Sequence, residues 1–166
     1  MHKSRATLFG FVAVGLWALL AVLTVGSSPV PPLLLNTLCF SIGGAIGLVW
    51  SGATGGFARM RKVPLHVYAF GTLGLFGYHV LYFSALRLAP PAQAGLIASL
   101  WPLLIVIFSG LLPGEKLRAG HLIGAALGFA GAGLIITGGD AGFNTGALPG
   151  YLLALACALT WSTYSV

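Results

Sequence analysis

Six stretches of about 20 mainly apolar residues, separated by short breaks, dominate this chain: roughly 6–25, 32–51, 66–86, 92–112, 120–138 and 148–166. That is the length an α-helix needs to cross the hydrocarbon of a bilayer. In lipid a spanning segment must satisfy its own backbone amides, which a helix does within the segment. The connections, SSPVP, GATGGFARMRKVP, RLAPP, PGEKLRA and GDAGFNTGA, each carry Gly or Pro and leave no room for a soluble domain. The sequence therefore predicts an all-α integral membrane protein.

Composition agrees. Only 6% of residues are charged and the mean hydropathy is +0.99. A soluble domain carries about 25% charged residues, so this chain has too few polar groups to face water all round. The net charge of +6 does not point to nucleic acid, because the basic residues share no periodic face and fall between the apolar runs. The N-terminal His2-Lys3-Ser4-Arg5 before an apolar run imitates a secretory signal. A signal core is about 7–15 residues long, whereas Ala6 to Val25 is an unbroken run of 20. It reads as a retained first span.

Orientation follows from the charges. With a cytoplasmic N-terminus, the inner segments carry Lys3, Arg5, Arg59, Arg61, Lys62, Lys116 and Arg118, and the outer ones only Arg87. Such a bias in short loops places the N-terminus inside.

Within the spans, Gly43/Gly47 and Gly120/Gly124/Gly128 recur every fourth residue, a pattern that lets helix backbones pack closely. Pro102 lies mid-span and predicts a kink near Trp101. Cys39 and Cys157 read as small buried thiols without metal-ligand spacing. The sixth span aligns without gaps on the first, ATLFGFVAVGLWALL on GYLLALACALTWSTY, bringing Trp17 onto Trp161. Five spans separate the copies, so the second enters from the opposite face, the plan of an inverted repeat. The sixth span reaches Val166 without a charged flank, and is expected to belong to a longer chain cut within it.

Trp50 and Tyr68 sit at span ends, where interfacial aromatics belong. Trp17, Tyr78, His79 and Trp101 instead lie near span centres. At 100° per residue, Tyr78, Tyr82 and His79 share one arc of the third span. Gln93, Ile97, Leu100 and Trp101 share a face of the fourth, and a five-residue turn lets the two stripes oppose. A midplane layer of aromatic and polar groups is where transporters place substrate. For Trp17 and Trp101 the alternatives are core packing and cavity lining. His79 either bonds a neighbouring helix, contacts or gates a ligand, or couples to protons. Gln93 either serves the ligand or bonds locally near the turn after Pro91.

Glu115 and Asp140, the only carboxylates, fall in loops. No acid–base pair, metal cluster, nucleophilic triad or phosphate loop is legible, so an enzyme is not expected, nor a cofactor. An aromatic cavity without fixed charge suits an apolar ligand, or a cation held over ring faces.

The run ALRLAPPAQAGLIASLWPLLIVIFSGLLPGEKLRAGHLIGAALGFAGAGLI resembles the EamA domain of the drug/metabolite transporter superfamily. The resemblance is carried by the ALxxxPP turn, the apolar run to Trp-Pro, the Gly114-Glu115 pair and the glycine-rich fifth helix. More narrowly, Trp17, the Tyr78-His79-xx-Tyr82 group and Trp101 resemble those of its aromatic amino acid exporters. The resemblance implies ten transmembrane helices in two inverted five-helix repeats, with both termini cytoplasmic. Residues 1–138 would form the first repeat, and 139–166 the loop and first helix of the second. It implies a bacterial inner-membrane exporter of amino acids, most of all aromatic ones, working by alternating access and as a monomer at full length. By the resemblance Trp17, Tyr78, His79, Tyr82 and Trp101 would line this half's side of the cavity, with Trp161 a candidate from the second repeat; Gln93 joins the substrate-binding candidates from its place on the fourth span alone. The rival expectations are an exporter of other metabolites or cationic drugs, and a non-transporting membrane assembly subunit.

Overall fold

A computed structural model describes residues 3–113, 117, 119–137, 142 and 144–166. Both carboxylates, with Lys116 and Arg118, lie outside these residues. So do the Gly114-Glu115 pair and the loop residues 138–141.

The first span is α1 (Lys3–Ala18) followed by α2 (Leu20–Gly26). The interruption at Leu19 is slight, because Leu19 N–H bonds the Gly15 carbonyl at 3.3 Å and Leu23 N–H bonds the Leu19 carbonyl at 2.9 Å. The second span is α3 (Pro32–Ala53), and a short α4 (Phe57–Met60) sits in the basic connection. The third is α5 (Leu65–Leu88), with Pro64 before it and Ala89 in extended conformation after it. Pro91 occupies the first turn of α6 (Pro91–Ala98), where a missing N–H costs nothing. Next come α7 (Trp101–Ser109), α8 (Ala119–Thr137), a 3-10 turn at Thr145–Ala147 and α9 (Leu148–Ser165). Five of the helical stretches are long and apolar enough to cross a membrane: Ala6–Gly26, Pro32–Ala53, Leu65–Leu88, Pro91–Ser109 and Thr145–Ser165. Most large apolar side chains along α1, α2 and α3 are exposed, as expected where the surrounding solvent is hydrocarbon.

The fold is organised on α5 and α9, which run antiparallel. At one end Gly150 of α9 meets the backbone of Leu88 and Ala89, and at the other Gly74 of α5 faces the ring of Tyr164. A Cβ on Gly150 would lie 2.6 Å from the Leu88 carbonyl carbon, and one on Gly74 2.1 Å from the Tyr164 ring. Only glycine permits these approaches. Between them Ala85, Leu86, Ala89, Ala94, Ala147, Tyr151 and Ala154 form the core. Against this pair α6 and α7 pack on α9, α3 packs on α5, α8 lies over α6 and α7, and α2 touches α5 and α6.

The glycine stripes behave otherwise than expected. A Cβ at Gly43, Gly47, Gly120, Gly124 or Gly128 would meet nothing within 4 Å, so among the described residues no helix is seated on them. Small residues permit close approach without compelling it. The close approaches fall instead at Gly74 and Gly150, where side chain and backbone interlock. Cys39 is likewise exposed, on α3, whereas Cys157 is buried.

Two polar anchors were not legible as such. Asn36 on α3 is fully buried and donates from Nδ2 to the Phe76 carbonyl at 3.2 Å. Arg87, in the last turn of α5, donates from Nη2 to the Thr24 carbonyl (2.9 Å) and to Ser27 Oγ (3.1 Å). It thereby joins Ser27 Oγ in bonding the Thr24 carbonyl near the C-terminal end of α2 and puts positive charge at the negative end of that helix.

Candidate functional site: an aromatic cavity at a broken helix

The fourth span breaks where Pro102 led us to expect a kink. Ser99 N–H reaches the Gly95 carbonyl at 2.9 Å, but Leu100 N–H bonds Ile97, three residues back, at 3.1 Å. Pro102 has no N–H to return to Ala98, so α6 ends and α7 starts afresh. Ser99 Oγ also donates to the Gly95 carbonyl, at 2.8 Å.

The break changes which residues share a face. A constant 100° step across it would group Gln93, Ile97, Leu100 and Trp101. The structure instead brings Gly95, Ala98 and Ser99 to one cavity with Trp101, because the helical step is not kept at Ser99–Leu100. The opposite walls come from Val14, Trp17 and Ala18 on α1, and from Tyr78 and Tyr82 on α5. The cavity measures about 280 Å³, at the small end of ligand-sized pockets.

Aromatic contacts fix its shape. Trp17 and Trp101 stack at 6.1 Å between centroids, 28° apart in plane. Tyr78 and Tyr82, one turn apart, stack at 5.8 Å and 12°. Trp161 of α9 lies against both groups, 5.9 Å from Trp17 and 4.8 Å from Tyr78. Tyr78 is buried with Ala98 and Cys157. Ser162, fully buried on α9, shares its one hydroxyl hydrogen between the Ala158 carbonyl at 2.6 Å and the Trp101 carbonyl at 3.1 Å, which sets the first turn of α7 against α9. Ring faces carry negative quadrupole density, so such walls accept stacked rings and cations. None of the cavity-lining residues is Asp, Glu, Lys, Arg or His.

Of the residues singled out in sequence, Trp17, Tyr78, Tyr82 and Trp101 line this cavity, and Trp161 buttresses it. His79 faces another way. Its ring packs edge-on to Phe40 (5.3 Å), Tyr78 (5.1 Å) and Phe83 (5.6 Å), and Nδ1 donates to the Leu75 carbonyl at 2.7 Å. Gln93 lies towards the other end of α6. It accepts a short hydrogen bond at Oε1 from Tyr151 Oη, and its Nε2 donates to the Gly142 carbonyl at 3.1 Å. Sequence reasoning missed Gly95, Ala98 and Ser99. Their 95/98/99 spacing just ahead of Trp-Pro was the available signal, hidden by their small size. Among the described residues no cluster of His, Cys, Asp and Glu suits a metal ion.

An all-helical, multi-pass bundle with an open, aromatic-walled cavity at a discontinuous helix is the build of a membrane transporter. The model of the EamA-like transporter family matches residues 4–137, and the chain belongs to that family. Along its whole length it is 52% identical to the aromatic amino acid exporter YddG of Ancylobacter novellus. Over 99% of its length it is 28% identical to the aromatic amino acid exporter YddG of Escherichia coli. A crystal structure 51% identical in sequence superposes with a TM-score of 0.75, covering 98% of this chain and 57% of the other. The chain spans 58% and 59% of those two exporters.

Proposed function

We propose that this chain supplies one side of an inner-membrane exporter of amino acids, aromatic ones foremost, which works by alternating access. The observation that carries the reading is the cavity walled by Trp17, Trp101, Tyr78 and Tyr82, without an Asp, Glu, Lys, Arg or His side chain, at the break in the fourth span. The names of the relatives support the substrate class. In this reading residues 1–138 are one five-helix repeat and 139–166 begin a second, inverted one, in a ten-helix carrier. The N-terminus faces the cytoplasm, on the strength of the basic residues gathered at one side. Aromatic side chains of the substrate stack in the cavity. His79 and Gln93 act from outside it, by holding α5 and the α6–α9 junction.

The test is flux into proteoliposomes holding the full-length protein. Labelled phenylalanine and tryptophan are followed, with serine and a quaternary ammonium drug alongside, for wild type and Trp101→Ala. Saturable aromatic flux that falls at least tenfold in the variant is the expected result. Equal flux with and without Trp101 keeps the carrier and removes this cavity from its mechanism. Flux of the quaternary amine alone favours the cationic-drug reading, which the open indole faces could serve by cation–π contact. No flux of any solute points to an assembly subunit.

A further inference from the structure

An amino acid carries an ammonium group as well as a side chain, and nothing said so far of the cavity accounts for it. The chain has two carboxylates, Glu115 and Asp140, and neither falls within a helical span of the sequence. The cavity wall holds no acidic side chain. On the side of the cavity that this chain supplies, an ammonium is met by neutral oxygen atoms or ring faces.

Besides the phenol oxygens of Tyr78 and Tyr82, oxygen atoms come from one helix end. Around the break, the Ser99, Leu100 and Leu104 amides bond the Gly95, Ile97 and Leu100 carbonyls respectively. Pro102, the residue four ahead of Ala98, has no amide hydrogen to give. Ser99 is exposed to the cavity. Its hydroxyl hydrogen is committed to the Gly95 carbonyl at 2.8 Å, which leaves the hydroxyl oxygen free to accept. Gly95 carries no side chain to cover this end, and a Cβ there would meet only open space. The last carbonyls of a helix also form the negative end of its dipole. Unwound carbonyls and helix C-terminal ends coordinate cations in other carriers with discontinuous helices.

We propose that the C-terminal end of α6, through Ser99 Oγ and the Ala98 carbonyl, to which Pro102 can give no hydrogen bond, is the subsite for the substrate's ammonium group. The indole and phenol wall then takes the side chain. The inference rests on the transport reading above and specifies how that substrate is oriented.

The test measures inhibition of labelled phenylalanine flux by three competitors in the full-length protein. Unlabelled phenylalanine has both charged groups, phenethylamine lacks the carboxylate, and 3-phenylpropionate lacks the ammonium. Ser99→Ala removes the hydroxyl acceptor. Pro102→Ala restores an amide that can occupy the Ala98 carbonyl. In at least one of the two variants, phenylalanine and phenethylamine should inhibit about tenfold more weakly, the size of a lost charge-assisted hydrogen bond, while 3-phenylpropionate is unchanged. Ser99→Thr, which keeps the hydroxyl, should behave as wild type in any case where Ser99→Ala is selective. Equal weakening of all three competitors in both variants, or no change in either, overturns the proposal and leaves the exporter standing. A wild type without phenylalanine flux overturns the exporter reading, and this subsite with it.

Discussion

Single residues in this bundle differ sharply in what they tolerate, and the glycines show it most clearly. Gly150 abuts the backbone of Leu88 and Ala89, which cannot swing aside as a side chain can. Gly150→Ala should therefore destabilise the fold by about 1–3 kcal/mol, as overpacking does, read as a lowered midpoint of thermal unfolding in detergent. Gly43→Ala and Gly47→Ala face open space and gain helix propensity worth up to about 1 kcal/mol each. They should leave that midpoint unchanged or raise it. A fall at either position would reveal a partner seated on α3. Tyr151→Phe removes the phenol hydrogen that Gln93 accepts. It should cost about 1 kcal/mol of stability without changing the KM for phenylalanine, since neither residue lines the cavity. A raised KM would return Gln93 to the binding site.

At the scale of helices, the sequence was most informative where a rule is one-dimensional. Span length, the proline break at Pro102 and the positions of Trp17, Tyr78, Tyr82 and Trp101 all follow from counting along the chain. Facing was less legible. The step between Gly95 and Trp101 departs from 100° per residue because Leu100 bonds Ile97 instead of Leu96, and no composition rule gives the size of that departure. The glycine stripes misled because four-residue spacing describes a surface and not its occupant. No spacing or motif singles out Asn36 in the sequence, yet it joins α3 to α5 at Phe76. An interhelical bond in a membrane is worth about 0.6 kcal/mol and at most about 1.7. Asn36→Ala should thus loosen α3 by that amount, detected as faster proteolysis in the connection between α3 and α5, while α5 and α9 stay paired.

The whole molecule has a direction that labelling can read. If the positive-inside bias governs insertion, Ser28 lies outside and Gly55, beside Arg59, Arg61 and Lys62, lies inside. In a Cys39→Ser background, with Cys157 buried, a cysteine at position 28 should react with a membrane-impermeant maleimide on intact cells. A cysteine at position 55 should react only after permeabilisation. The reverse pattern would invert the topology while leaving the bundle intact.

Order of synthesis adds something that the finished bundle conceals. The aromatic cavity draws on α1, α5, α6 and α7, yet Trp161 and Ser162, which steady Trp17, Tyr78 and Trp101, belong to α9. Translation proceeds at roughly 5–20 residues per second, so α9 follows the end of α8 by a delay on the order of seconds. During that interval the earlier helices already stand in the membrane, with the notch at Gly74 unfilled and Trp101 untethered. This wall of the site takes its shape only when α9 arrives.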